Sequence, residues 1–193
     1  PGQVGLDATL GYGGHSLEIL KRLGSTGRLF ALDVDPFELP RTRSRLEALG
    51  YGPEVLTIKK MNFSGIDQVI FESGQLDFVL ADLGVSSMQI DNPERGFSFK
   101  VEGPLDLRLN PKNGKSAATL LKTISRENLE EILVNNSDEP YFEAIAKAIC
   151  LATNAGVEIS TTKQLQNIIE QALQFLPAVN RKELVKKSCQ RCF

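Results

Sequence analysis

Over its first hundred residues the chain alternates short apolar runs with longer stretches of helical period. Residues 4–10, 29–32, 55–58 and 78–83 are apolar-rich and bounded by Gly, Pro or Asp, the pattern of buried strands. Between the first two runs, Leu17, Leu20 and Leu23 recur on one helical face, with Ser16 placed as an N-cap and Gly24 as a stop. Beyond the second run, Asp35 and Pro36 stand where a cap and a first helical residue belong, and Pro40 marks either a kink or the helix's real start. Strand and helix in alternation predict an α/β fold with a parallel, doubly wound sheet. From about residue 110 helical period takes over, at 117–124, 129–134, 141–152 and 165–176. Ser125 and Thr161 or Thr162 are N-cap candidates there, and Ile145, Ile149 and Leu151, like Leu165, Ile168, Ile169 and Leu173, share single faces suited to a core. The pattern predicts two domains, an α/β core over 1–109 and a helical domain over 110–193.

The run DATLGYGGHS at 7–16 joins the first strand to the first helix through Gly11, Gly13 and Gly14. Such a turn leaves backbone N–H groups unobstructed at a helix N-terminus, where they face a carboxylate or phosphate. Plain strand-to-helix turns share that pattern, but Asp33 ends the second apolar run 22 positions after Gly11. An acid in that place accepts hydrogen bonds from ribose hydroxyls. Asp82 ends the fourth run, at the sheet edge where open α/β folds bind ligands, with a turn-forming role as its alternative. The stretch from Arg95 to Arg108, with Phe97, Phe99 and Asp106, reads as a long irregular connection of the kind that carries function.

The 193 residues, 41% hydrophobic and 24% charged, suffice for one substantial core and a smaller helical unit. A net charge of −2 argues against nonspecific coating of nucleic acid, though not against a local basic face. Arg181, Lys182, Lys186, Lys187 and Arg191 stand against the single acid Glu183 near the C-terminal end, a solvated helix face or a phosphate contact. Three cysteines, Cys150, Cys189 and Cys192, imply a reducing compartment. Zinc would need about four ligands, and only His15 and Cys150 could join the Cys189–Cys192 pair, so no metal site is expected. No membrane span or N-terminal leader is read, and the chain begins so near its first strand that an upstream segment is expected.

DATLGYGGHS, ALDVDP, the pair Asn62–Phe63, DLGVSSMQID, ERGFSF and GPLDLRL, in this order, resemble the bacterial and organellar 16S ribosomal RNA cytosine-N4 methyltransferase family (RsmH/MraW). The likeness covers nearly the whole chain. It implies a class I S-adenosylmethionine-dependent methyltransferase whose sheet is interrupted by an all-helical domain for substrate recognition. Gly13, Gly14 and His15 would line the methionine end of S-adenosyl-L-methionine, Asp33 the ribose and Phe63 the adenine, with Asp82 and Gln89 completing the site. Asp82 would also orient the cytidine's exocyclic amine or accept its proton, and Phe97 or Phe99 would support the unstacked base unless they are core. The substrate implied is small-subunit ribosomal RNA or the assembled subunit, in the decoding region. No membrane partner is implied, a homodimer is left open, and the place of action is the cytoplasm of a bacterium or a eukaryotic mitochondrion or plastid.

The chain departs from the family's Met-Arg-Met-Asp run at Leu107–Asn110 and from its Gly-Glu-Glu run at Ser137–Glu139. The family also continues beyond the position of Phe193 with further strands, so the chain reads as a fragment truncated at both ends, expected to be poorly stable and poorly active alone. Two other functions share parts of the pattern. A nicotinamide-dependent oxidoreductase would use the same glycine turn and Asp33 but leaves DLGVSSMQID without a role; a noncatalytic RNA-binding or assembly protein would keep the fold without turnover.

Overall fold

The computed structural model describes residues 2–193 and divides them into two compact units, up to Ser86 and Ser87–Phe193. The first unit is built on β1 (Val4–Asp7), β2 (Arg28–Asp33), β3 (Leu56–Lys60) and β4 (Phe78–Leu80), all parallel in the order β3-β2-β1-β4. Helices α1 (Gly14–Leu23), α2 (Glu38–Ala48) and α3 (Ile66–Ser73) follow β1, β2 and β3. The expected α/β class and doubly wound parallel sheet are what the chain forms.

Strand alternation explains the layering. On β2, Leu29 and Ala31 point into a core with Leu20 and Leu23 of α1, Leu39 and Leu46 of α2, and Leu56 and Ile58 of β3. Phe30 and Leu32 point the other way, into a second core with Leu6 and Val69 of α3. Because successive side chains face opposite sides of a sheet, a strand apolar at every position needs helices on both faces.

Two helix starts differ from expectation. Ser16 is not the cap of α1: the helix begins at Gly14 with left-handed Gly13 as N-cap, and Ser16, fully buried, donates its hydroxyl to Asp7 Oδ2 at 2.7 Å. Pro36 lies in a turn before α2, which starts at Glu38. Asp35 Oδ1 accepts from the N–H of Phe37 at 2.9 Å, and Pro40 falls in the first helical turn, where its missing N–H costs nothing.

The second unit contains α4 (Ser87–Ile90), α5 (Ala117–Leu121), α6 (Arg126–Ser137), α7 (Phe142–Asn154), α8 (Thr162–Ala172) and α9 (Arg181–Cys192). Ser125 caps α6, and Thr161 caps α8 in a reciprocal capping box with Gln164. The sequence boundary at 109 and the structural division after Ser86 differ because the connecting stretch packs with the helices. Leu105 lies in one core with Leu129, Ile145 and Ile169, and Pro104 forms an antiparallel bridge with Thr161.

That connecting stretch is held by its own side chains. Arg95, buried, donates to the carbonyls of Arg108 and Leu109 at 3.0 and 2.8 Å, and Arg108 forms a paired contact with Asp106. Phe97 is buried; Phe99 packs on the helical core and its ring centroid lies 5.7 Å from that of Phe193. On α9, Lys187 pairs with Glu183 on the same helix, whereas Arg181 donates to the carbonyl of Leu176. Cys189 and Cys192 turn into the unit, where burial pushes the Cys189 thiol up to about 12 and raises that of Cys192 as well. Among the described residues no helix is long and apolar enough to cross a membrane.

Candidate cofactor site

Four strands end at one edge of the first unit's sheet, and the residues singled out in the sequence lie at or just beyond those ends. At the end of β1, Asp7 is buried and accepts from the backbone N–H of Thr9 at 3.0 Å as well as from Ser16. Thr9 Oγ1 in turn accepts from the N–H of Asp82 at 2.8 Å, which ties the end of β4 to the end of β1. Neither Asp7 nor Thr9 was assigned a role from sequence, although both lie in the glycine-turn motif. Their partners, nine and seventy-three positions away, are not visible in a local pattern.

The turn itself follows from glycine's conformational freedom. Gly13 sits at φ 78°, ψ 25°, and a Cβ there would come within 2.8 Å of Thr42 Cγ2. At Gly14 a Cβ would meet nothing within 4 Å, and no side chain caps α1. The first turn of this ten-residue helix thus has no side-chain cap for its N–H groups, which carry the positive end of its dipole.

Asp33, the last residue of β2, takes the N–H of Gly11 on Oδ2 at 2.6 Å and the N–H of Asp35 on Oδ1 at 2.8 Å. An ionised carboxylate has about four acceptor positions, so these two bonds fix its orientation and leave lone pairs for a ligand's hydroxyls. After β3, Asn62 Oδ1 accepts from Ser64 at 2.9 Å and caps the short 3-10 turn that presents Phe63, about half exposed. His15 Nδ1 lies 3.6 Å from Asp82 Oδ2, with both side chains about two-thirds exposed at 63% and 66%.

Gly13, Gly14, His15, Asp33, Phe63 and Asp82 thus all belong to one unit and one sheet edge. Gln89 belongs to the second unit, on α4, where it is buried. The residue types suit an adenosine-containing cofactor: an open helix N-terminus for a carboxylate, an acid for a ribose, an exposed aromatic face for a base. Among the described residues no three His, Cys, Asp or Glu side chains group to hold a metal.

A parallel sheet with a glycine turn after β1 and an acid closing β2 defines the Rossmann-like class of nucleotide-cofactor folds. The chain belongs to the MraW methylase family, whose model matches residues 1–192, and its fold is accordingly that of the class I methyltransferases. It is 68% identical over its whole length to ribosomal RNA small subunit methyltransferase H 2 of Alkaliphilus metalliredigens, covering 55% of that protein. It is 61% identical to methyltransferase H 1 of Lachnoclostridium phytofermentans, again over its whole length and covering 53% of the relative. With methyltransferase H of Leptothrix cholodnii it shares 42% identity over 90% of the chain and 54% of that protein. The chain spans about half the length of these curated relatives.

Proposed function

We propose that the protein is an S-adenosylmethionine-dependent methyltransferase acting on the exocyclic N4 amine of a cytidine in small-subunit ribosomal RNA. The observation that carries this reading is the gathering of Asp33, the open N-terminus of α1, Phe63 and Asp82 on one sheet edge in a chain of the MraW methylase family. The names of the relatives supply the substrate class.

Bound there, S-adenosylmethionine supplies a methyl group on a sulfonium sulfur, a built-in leaving group, so the site requires alignment rather than a nucleophilic side chain. Asp33 accepts the ribose hydroxyls while its other lone pairs keep the Gly11 turn in place. Gly13, Gly14 and His15 hold the amino-acid end at the first turn of α1, and Phe63 offers its face to adenine. Asp82 accepts a hydrogen bond from the amine, whose nitrogen lone pair is delocalised into the ring, and orients it or receives its proton. The target base must be unstacked to reach such a site. The helical unit recognises the RNA, free or in the assembled small subunit, and the reaction takes place in the bacterial cytoplasm. The resemblance adds Gln89 to the cofactor set, which Gln89→Ala tests by the same titration.

Calorimetric titration of S-adenosylmethionine into the folded chain, with Asp33→Ala as control and NAD as competitor, tests the cofactor. Saturable binding, lost in the variant and indifferent to NAD, is the expected result. NAD binding at the same site moves the assignment to an oxidoreductase. A folded protein that binds RNA but no S-adenosylmethionine moves it to a noncatalytic assembly factor.

A further inference from the structure

The glycine turn is held by a helix it does not lead into. Gly11 and Gly13 have positive φ, at 49° and 78°, and α1 provides no side-chain cap. A segment so rich in glycine loses much conformational freedom when it is ordered, so contacts from elsewhere must hold it. They come from one face of α2. Thr42, buried, donates its hydroxyl to the carbonyl of Gly11 at 2.7 Å. Arg45, one turn further, donates from Nη2 to the carbonyl of Tyr12, and its guanidinium carbon sits 3.9 Å over the centre of the Tyr12 ring. Leu46 Cδ1 and Thr42 Cγ2 pack where a side chain at 13 would be, 3.3 and 2.8 Å from the ideal Cβ. Positions 42, 45 and 46 share a helical face, and between them they meet residues 11, 12 and 13. The Gly11 N–H is tied to Asp33, so both polar groups of that residue are fixed, one from β2 and one from α2.

We propose that Thr42 and Arg45 are positioning residues for cofactor binding: without touching the ligand, they keep the 11–13 turn in the conformation that presents α1's N-terminus. This rests on the reading that the edge binds S-adenosylmethionine. Apparent affinity scales with the fraction of molecules whose turn is already in the competent conformation, so loosening the clamp weakens binding in a protein that stays folded. Removing one neutral hydrogen bond changes such an equilibrium by a few-fold to about tenfold.

Two measurements on the same variants test the proposal. In calorimetric titrations, Thr42→Val and Arg45→Met should raise the Kd for S-adenosylmethionine about fivefold. Thr42→Ser, which keeps the hydroxyl, and Tyr12→Phe, which keeps the ring and the carbonyl, should stay within about twofold. Leu39→Val, a core change on the same helix, should lower the unfolding midpoint and leave Kd within about twofold. In hydrogen exchange without ligand, the amides of Gly11 and Gly13 should exchange about fivefold faster in Thr42→Val and Arg45→Met, with β2 amides unaffected. Unchanged exchange at those amides overturns the clamp whatever the cofactor. So does a Kd that Leu39→Val raises as much as Thr42→Val does. Faster exchange in the two variants of a parent protein that itself binds no S-adenosylmethionine overturns the cofactor reading and the positioning role with it, while leaving the turn's contacts as described.

Discussion

Asp33 carries two tasks in one carboxylate: it closes the turn by accepting from Gly11 and Asp35, and it presents its remaining lone pairs at the sheet edge. Hydrogen bonds to a charged acceptor contribute about 1.5–3 kcal/mol. Asp33→Ala removes two such bonds and should therefore lower unfolding free energy by about 3 kcal/mol or more in urea titrations and abolish cofactor binding, with Asp33→Asn intermediate in both. Asp82 is the opposite kind of residue, exposed and held through its backbone N–H by Thr9. In single turnovers at saturating S-adenosylmethionine, Asp82→Asn should slow methyl transfer about a hundredfold, as suits a group acting on the amine. Retention of full turnover at saturating cofactor would remove Asp82 from the chemistry. The thiol of Cys189, pushed up to about 12 by burial, should resist iodoacetamide at pH 7.5 in the native protein and react once urea opens the helical unit.

Elements were legible where the signal is local. The alternation of Leu29 and Ala31 with Phe30 and Leu32 buries two cores, and an uninterrupted apolar run already implies that for a parallel strand. At α8 the sequence offers Thr161 or Thr162 as N-cap, and the structure selects Thr161, whose capping-box partner Gln164 lies only three residues on. Thr161→Ala should cost about 1 kcal/mol, measurable as a lowered urea midpoint for the helical unit. The 95–109 stretch was less legible. Its polar residues suggested a functional loop, and the structure uses them to support backbone: Arg95 on the carbonyls of 108 and 109, Arg108 on Asp106. The hydrogen bonds from Arg108 hold the Asp106 carboxyl below its ordinary value of 3.8. A carboxylate depressed on folding stabilises the native state above its unfolded pKa and loses that contribution as pH falls through the lowered folded value. Between pH 5 and pH 2, Asp106→Asn should show a shallower loss of stability than the parent protein, read by urea titration at each pH.

For the whole molecule, the first unit leaves a good deal of apolar surface uncovered. Phe71 on α3 is 92% exposed, and Val79 on β4 and Leu83 just beyond it are 53% and 68% exposed. Strand β4 pairs with β1 alone and is an edge of the described sheet. Unpaired edges beside exposed apolar side chains favour association. The 193-residue chain should bind a fluorescent apolar dye and self-associate with rising concentration in sedimentation runs, and Phe71→Lys with Val79→Thr should reduce both. A monodisperse, dye-silent parent chain would contradict this. What the sequence determined by itself was whatever short-range chemistry encodes: strand and helix periods, the glycine turn, the acid 22 positions on, and the ordered motifs of the family. Tertiary structure alone decided which side chains meet across the chain. Thr42 and Arg45 reach the turn from 31 and 33 positions away, Asp7 holds Ser16 instead of leaving it to cap α1, and Ser188 donates to buried Glu139 from 49 positions away. These pairings arise from packing helices on a sheet or on one another, and no local pattern of polar and apolar residues specifies them.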